Sequence, residues 1–175
     1  MTVITISGLP GSGTTTISQL LEKKTGIPYV YSGEIFRKLA KKYRLSLEEF
    51  GKYCEEHREI DEELDRTQLE ILKKGNIILE GRISGWIAYH NKIESLKVVL
   101  KADIDTRAKR IVNRENGDIE NRKKEIEKRE ISEATRYKNY YDIDVFDLSI
   151  YDLVIDSSDK TPDEIVDIIL KKIKK

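Results

Sequence analysis

A glycine-rich segment near the N-terminus constrains the fold of this chain more than any other feature. Residues 8–16 read Gly-Leu-Pro-Gly-Ser-Gly-Thr-Thr-Thr. They follow a short β-branched run at residues 3–7, which is typical of a buried strand. Apolar residues then recur at helical spacing: Ile17, Leu20 and Leu21. A strand, a glycine-rich turn and a helix in this order let backbone N–H groups surround phosphate oxygens, so the segment predicts a phosphate-binding loop.

One position of this loop differs from the common pattern. That pattern has Lys immediately before its Ser or Thr, and this chain has Thr14 there. Thr15 or Thr16 could still place a hydroxyl near Mg²⁺. A lysine would stabilise charge that develops on a transferred phosphate, so a phosphate-transferring protein would need another cation. The candidates lie further along the chain: Arg107, Arg110, Arg114 and Lys138. The simpler alternative is a glycine turn that only joins strand to helix.

Short apolar segments alternate with helical stretches along the rest of the chain. The segments at residues 28–32, 76–79, 96–100 and 153–155 predict four more strands. Helix-start signals stand between or after them: Ser46 with Glu49, Asp103, and Thr161 with Pro162. Near-continuous apolar strands alternating with helices predict an α/β fold, with a parallel sheet covered on both faces.

The bulk properties narrow the class of protein. The 175 residues carry no Pro/Gly/Ser-rich linker and no internal repeat, so residues 1–175 are expected to form one domain. Lys+Arg and Asp+Glu both total 32, which argues against general affinity for nucleic acid or anionic membranes. The single cysteine, Cys54, cannot form an intrachain disulfide. Neither a secretion signal nor an apolar run long enough to span a membrane is present, which predicts a cytoplasmic protein.

Two arginines follow predicted strands in matching positions. Arg37 belongs to the run Ser-Gly-Glu-Ile-Phe-Arg that begins at Ser32, and Arg82 directly follows Glu80 and Gly81. Open α/β sheets bind ligands at the carboxyl ends of their strands. A guanidinium can hold a phosphate through two parallel hydrogen bonds. Each arginine alone could be an ordinary surface residue, but the matched positions predict a second phosphate site beside the glycine-rich loop.

A charged helical stretch carries a third set of candidates. Arg129, Glu133 and Arg136 are spaced by four and seven residues, which puts them on one helix face. Two cations could therefore converge on phosphates with a carboxylate between them, although solvated i,i+4 pairing is the alternative. The basic run at residues 107–138 could likewise be a solvated face or a mobile flap over a phosphate site.

Together these motifs resemble the nucleoside monophosphate kinases, and among them the cytidylate kinases, most closely the archaeal form. The resemblance covers nearly the whole chain and includes the three threonines of the loop and the run Arg-Tyr-Lys-Asn-Tyr-Tyr at residues 136–141. It implies a P-loop NTPase-like three-layer sandwich with a five-stranded parallel sheet. It also implies a helical acceptor-binding insert around residues 33–75 and a short lid around residues 108–130.

The resemblance assigns expected roles to individual residues. ATP with Mg²⁺ would lie on the loop, contacting Gly8, Leu9, Pro10, Gly11, Ser12, Gly13, Thr14, Thr15 and Thr16. The acceptor CMP would be bound by Ser32, Arg37, Arg82 and Glu133. Arg110, Arg129 and Arg136 are the candidate catalytic cations, in that order. No general base is named, because phosphoryl transfer depends mainly on positioning and charge neutralisation.

Two positions differ from the family pattern. Bacterial cytidylate kinases follow their Gly-Arg pair with an aspartate that contacts the acceptor, and this chain has Ile83. Thr14 is the second difference. The expected activity is phosphorylation of CMP, and of dCMP, by a monomeric enzyme. The alternatives are a kinase of the same fold for AMP or a non-nucleotide alcohol, and a nucleotide-binding regulatory module without turnover.

Overall fold

The computed structural model describes residues 2–173, apart from the side chain of Glu48. Five strands form one sheet: β1 Val3–Gly8, β2 Tyr29–Tyr31, β3 Ile77–Glu80, β4 Leu96–Lys101 and β5 Leu153–Asp156. All neighbouring pairs are parallel, in the order β2-β3-β1-β4-β5. The predicted five-stranded parallel sheet is therefore confirmed, and the glycine-rich loop follows its central strand.

Eight helices are described within residues 2–173, and they connect or cover the strands. They are α1 Thr14–Thr25, α2 Ser32–Lys42, α3 Leu47–Glu56, α4 Arg58–Lys74, α5 Ser84–His90, α6 Ile104–Glu115, α7 Ile119–Tyr141 and α8 Pro162–Ile173. Long crossovers are required because parallel strands cannot be joined by tight hairpins. None of these helices is both long enough and apolar enough to cross a membrane.

The core has a cluster on each face of the sheet. On one face Ile4, Ile6 and Val98 pack against α1 and α8. On the other face Val3, Ile77 and Leu79 pack against residues of α4, α5 and α7. These two clusters make the three layers expected of a parallel α/β sheet. The sheet is thereby covered by helices on both faces.

Two smaller clusters lie outside the main core. Phe50 is fully buried between α2, α3 and α4, together with Ala40, Cys54 and Ile60. Burial raises the pKa of the Cys54 thiol to about 12, so this thiol stays protonated near neutral pH. A second cluster, in which Ile126 of α7 is buried, joins α7 to α6. Each cluster gives its helices a core separate from the two main ones.

The helix-start signals read from the sequence are confirmed. Ser46 and Glu49 form a reciprocal capping box, and Asp103 accepts a hydrogen bond from the backbone N–H of Thr106 at 2.7 Å. Helix α5 was not predicted from the sequence. It has seven residues, and no side chain caps it at Ile83, so neither periodicity nor a cap marks its start.

Candidate active site at the carboxyl ends of the strands

The glycine-rich loop presents a free helix N-terminus at the end of β1. Gly13 lies in the left-handed region (φ 93°) at the start of α1, and no side chain caps this helix. Gly11 is also left-handed (φ 82°), and a Cβ there would lie 2.6 Å from the carbonyl oxygen of Arg107. Only glycine fits both requirements at Gly11. The first N–H groups of α1 are thus available to an anion, as a phosphate site requires.

Glu80, at the end of β3, accepts three hydroxyl hydrogen bonds beside the loop. Thr14 and Thr15 donate to its Oε1 at 2.6 and 2.8 Å, and Tyr29 donates to its Oε2. The residue is only 4% exposed, and none of the ion pairs described for residues 2–173 involves its carboxylate. Thr14 therefore turns its hydroxyl towards the end of β3.

The oxygen atoms around Glu80 suit a hard divalent cation. The carboxylate of Glu80 and the hydroxyl of Thr15 are the ligand types that Mg²⁺ prefers, and Mg²⁺ usually needs only one or two protein carboxylates beside phosphate oxygens and water. No group of three or more metal-ligating His, Cys, Asp or Glu side chains is found within residues 2–173. The residues thus fit a cation held jointly with a phosphate ligand. Thr16, which is exposed like Thr15, is the next residue of α1.

Arg110 lies against the loop through its guanidinium. Its guanidinium donates to the carbonyl oxygen of Gly11 at 3.3 Å and to Ser157 at 3.1 and 2.5 Å. Its Nη1 lies 4.0 Å from the point where a Cβ would stand on Gly13. Ser157, which follows β5, in turn donates to the carbonyl oxygen of Ser12 at 2.8 Å. The start of α1, the end of β5 and α6 are thereby joined around one cation.

The other cations suggested for the loop are held mainly by partners outside it. Arg107 is buried and pairs with Glu130 of α7, and its guanidinium donates to the carbonyl oxygens of Ala102 at 3.1 Å and of Pro10 in the loop at 3.4 Å. Arg114 pairs with the adjacent Glu115 on the surface. Lys138 pairs with Asp142 at the exposed end of α7. Arg107 thus fastens α6 to α7, and the latter two lie in surface ion pairs.

Arg82 connects the predicted acceptor side to the loop. Its Nη1 donates to the carbonyl oxygen of Gly8, and its Nε donates to Glu133 at 2.6 Å. Arg129 donates to the other oxygen of Glu133 at 2.9 Å, although its side chain is 64% exposed. Burial alone would raise the pKa of Glu133, but Arg82 and Arg129 lower it to about 2. Two arginines therefore share one ionised carboxylate at the edge of the loop.

Arg136 does not join this group in the structure. Its guanidinium instead lies 2.6 Å from the carboxylate of Asp61 on α4, and both side chains are nearly buried. Burial raises the pKa of Asp61, and the charge of Arg136 opposes this rise. The predicted arrangement of two cations with a carboxylate between them does occur, but its members are Arg82, Glu133 and Arg129.

Ser32 and Gly81 bring the two acceptor motifs together. β2 pairs with β3 so that Tyr31 stands beside Glu80, and Ser32 begins α2 directly afterwards. A Cβ on Gly81 would lie 2.7 Å from the Oγ of Ser32, so the absence of a side chain at Gly81 lets the two motifs approach closely. Arg37, one turn further along α2, is exposed and stacks its guanidinium 5.9 Å from the ring centre of Tyr31.

Several site residues were missed in the sequence. Glu80 was read only as part of a motif, and its position at the end of a strand beside the loop was the available signal. Asp61, Asp65 and Gln68 carried no signal of their own in a charged helix.

Asp65 and Ile83 line a cavity of about 330 Å³ between α4, α5 and the end of α7. Burial raises the pKa of Asp65 to about 7.

Comparisons with known proteins agree on one family. A family model described as the cytidylate kinase-like family matches residues 3–159. The curated cytidylate kinase of Methanocaldococcus jannaschii is 51% identical over 157 residues, covering 89% of this chain and 88% of the relative. That of Methanococcus vannielii is 48% identical, with coverages of 98% and 99%. Both relatives therefore align with most of this chain.

Solved structures support the fold independently. An uncharacterised protein from Eubacterium ventriosum ATCC 27560 aligns with a TM-score of 0.73 at 20% identity, covering 99% of both chains. The shikimate kinase of Bacteroides thetaiotaomicron aligns with a TM-score of 0.65 at 13% identity, again over 99% of both chains. At these identities the similarity establishes the three-layer fold.

Proposed function

The chain belongs to the cytidylate kinase-like family, and on that premise we propose that it transfers the γ-phosphate of ATP to CMP, yielding ADP and CDP. One observation carries the proposal: Arg82 of the acceptor motif donates a hydrogen bond to Gly8, the first residue of the glycine-rich loop. An acceptor phosphate held at Arg82 would therefore lie beside a triphosphate held by the loop. Phosphoryl transfer needs this in-line closeness more than it needs a strong base.

On the donor side, residues 8–16 would hold ATP through backbone N–H groups at the start of α1. Mg²⁺ would bind at Thr15 and Glu80, with Thr16 nearby, and would neutralise charge on the phosphates. Arg110 is the first candidate to replace the lysine that is missing at Thr14, since its guanidinium lies against Gly11. Arg129 and Arg136 follow as further candidates.

On the acceptor side, Arg37 and Arg82 would hold the phosphate of CMP, and Ser32 would contact the nucleotide. Glu133 orients the guanidinium of Arg82 by a 2.6 Å hydrogen bond and would contact the acceptor sugar. Because Glu133 also binds Arg129, entry of a phosphate would redistribute the charge pairing among these three groups. We propose that residues 33–75 form the acceptor insert and residues 108–130 the lid. Closure would exclude water and limit hydrolysis of ATP.

A coupled assay of ADP formation tests the proposal. ATP and Mg²⁺ would be supplied with CMP, dCMP, UMP, AMP or GMP, and with shikimate as a non-nucleotide alcohol. We expect CMP to give the highest kcat/KM, with dCMP also accepted. A clear preference for AMP or for the alcohol would contradict the CMP assignment and leave a kinase of the same fold. Tight ATP binding without transfer to any acceptor would instead favour a regulatory module.

The proposed partners are the small molecules ATP and CMP, without nucleic acid or membrane. A monomeric state and a cytoplasmic location remain predictions. Light scattering of the purified protein would test the first, with a mass near 20.3 kDa expected.

A further inference from the structure

The side chain of Gln68 on α4 has a buried oxygen atom with no hydrogen-bond partner. The residue is only 3% exposed, and its Oε1 has no partner among the described residues. Buried polar atoms in folded proteins nearly always have a partner, because an unpaired acceptor loses its bonds to water without replacement. An unpaired amide oxygen beside a ligand site therefore indicates a donor that arrives with the ligand.

Asp65 determines which end of the Gln68 amide faces that site. The Nε2 of Gln68 donates to Oδ1 of Asp65, one turn earlier on α4, at 3.3 Å. Amide orientation is assigned from such hydrogen bonds. With Nε2 turned to Asp65, Oε1 is directed towards Gly81 instead. Asp61, Asp65 and Gln68 follow at spacings of four and three residues, so they share one face of α4.

The oxygen of Gln68 lies at the junction of the two acceptor motifs. It is 2.9 Å from the point where a Cβ would stand on Gly81, and the Oγ of Ser32 is 2.7 Å from the same point. Gly81 directly precedes Arg82, whose guanidinium reaches the glycine-rich loop. A nucleotide whose phosphate is bound by Arg82 and whose remainder contacts Ser32 would therefore bring its base near Gln68.

We propose that Gln68 recognises the base of the acceptor nucleotide by accepting a hydrogen bond from its exocyclic amino group. This inference rests on the proposed function and adds the basis of its selectivity. Cytosine has an amino group at position 4, which would satisfy Oε1. Uracil has a carbonyl oxygen there, so two acceptors would face each other and both would remain unpaired. A site built to hydrogen-bond one group discriminates strongly against an analogue that lacks it.

Asp65 acts in this arrangement as a positioning residue. It would not contact the base, but it holds Nε2 and thereby keeps Oε1 towards the ligand. Asp65→Asn retains a carbonyl oxygen that can accept from Nε2, whereas Asp65→Ala does not. We therefore expect Asp65→Ala to lower the preference for CMP over UMP and Asp65→Asn to restore most of it.

The experiment compares CMP with UMP and with the monophosphate of pyrimidin-2-one riboside, which lacks only the amino group. Specificity constants would be measured for the wild type, Gln68→Ala and Gln68→Leu. Gln19→Ala is the matched control, because Gln19 is an exposed glutamine on α1. We expect Gln68→Ala to lower kcat/KM for CMP about tenfold to a hundredfold, to raise it for UMP because the opposing acceptor is gone, and to leave the pyrimidinone analogue nearly unchanged. The preference for CMP should then largely disappear, and the control should keep it.

The outcomes separate this inference from the proposed function. If the wild type phosphorylates no nucleoside monophosphate, the proposed function fails. If it phosphorylates CMP, UMP and the pyrimidinone analogue with equal kcat/KM, only the role of Gln68 is overturned. The same holds if a folded Gln68→Ala or Gln68→Leu variant keeps the wild-type ratio. Should both variants fail to fold, the Asp65 pair decides: equal CMP-to-UMP ratios in Asp65→Ala, Asp65→Asn and the wild type would refute the role.

Discussion

At the scale of single residues, the proposed role of the Glu80 charge in binding Mg²⁺ can be tested directly by mutation. Glu80→Gln keeps the size of the side chain but removes the charge that would attract Mg²⁺. We expect a weaker apparent Mg²⁺ affinity and a rate lowered on the order of 10²-fold, as for a lost electrostatic group. A Mg²⁺ titration of activity measures both effects. Tyr29→Phe is the control, because it removes one donor to Glu80 and leaves the charge. An unchanged titration in Glu80→Gln would contradict the Mg²⁺ assignment.

The acceptor arginines make a second prediction at this scale. Arg37→Ala or Arg82→Ala should lower the affinity for CMP and leave the affinity for ATP nearly unchanged. Losing one charge-assisted contact to the phosphate should weaken the binding free energy of CMP by an amount on the order of 2 kcal/mol. Calorimetry with each nucleotide separately measures this, with Arg114→Ala as the control, because Arg114 pairs only with Glu115 among the described ion pairs. Equal losses of ATP and CMP affinity would show that these arginines do not define an acceptor site.

The replacement for the missing lysine gives a third prediction. Arg110→Ala should lower kcat by ~10²-fold or more, because a cation would be lost where charge develops. Its effect on ATP binding should be smaller, since that charge grows only in the transition state. Ser157→Ala removes the hydroxyl partner of Arg110 but keeps the charge, so it controls for local structure.

Arg129→Ala and Arg136→Ala should be measured beside it. Arg136→Ala also leaves Asp61 buried without its partner, so its stability must be measured before its rate is interpreted. If Arg110→Ala, Arg129→Ala and a folded Arg136→Ala all keep near-normal turnover, then backbone amides and Mg²⁺ are sufficient.

At the scale of elements, α4 packs against α7 through polar side chains that include a protonatable carboxyl. The pKa of Asp65 is raised to about 7, first by burial and then by the nearby charges of Asp61 and Glu62 on α4. Tyr141 and Arg136 on α7 oppose this rise. On α5, His90 lines the same cavity as Asp65. The packing of α4 on its neighbours is therefore sensitive to pH near neutrality.

The sign of this dependence follows from the raised pKa of Asp65. The folded protein keeps a proton on Asp65 up to about pH 7, whereas the unfolded chain releases it near pH 4. The contribution of Asp65 to the free energy of unfolding is therefore fully present below pH 4 and is lost as the pH rises through 7. Asp65→Asn cannot lose this proton, so its stability relative to the wild type should increase between pH 5 and pH 8, by about 2 kcal/mol.

Urea unfolding at both pH values measures this change. Asp159→Asn is the control, because Asp159 is exposed. A constant stability difference between wild type and Asp65→Asn at the two pH values would contradict the raised pKa.

At the scale of the whole molecule, ligands should change the lid and the insert together. Residues 108–130 pack on the rest of the chain partly through the Arg107–Glu130 ion pair, and Ser132 and Tyr140 of α7 donate to α3. ATP, Mg²⁺ and a non-reactive CMP analogue should raise protection from hydrogen exchange in residues 108–130 and 33–75. Residues of β1 and β3 serve as the internal control, because their amides are already protected. Unchanged exchange in both segments would refute the lid and insert.

The pattern of elements was largely determined by the sequence alone. Glycine and proline positions, helix caps and short apolar runs act over a few residues, so they located five strands and most helices. The phosphate-binding loop followed for the same reason, since its strand, turn and helix are contiguous. Arg37 and Arg82 could be proposed because each directly follows a strand of a parallel sheet. The helix α5 lacked such local signals and was missed.

Only the tertiary structure decided which polar groups meet. Glu80 and Thr14 are separated by 66 residues, and their hydrogen bond exists because β3 lies beside β1. The same holds for Arg136, which the helix spacing placed with Glu133 but which the structure pairs with Asp61 on α4. Burial of Gln68 inside a charged helix could not be inferred from hydrophobic periodicity, because periodicity reports apolar faces. Hydrogen-bond partners depend on strand order and side-chain direction, which only the folded chain defines.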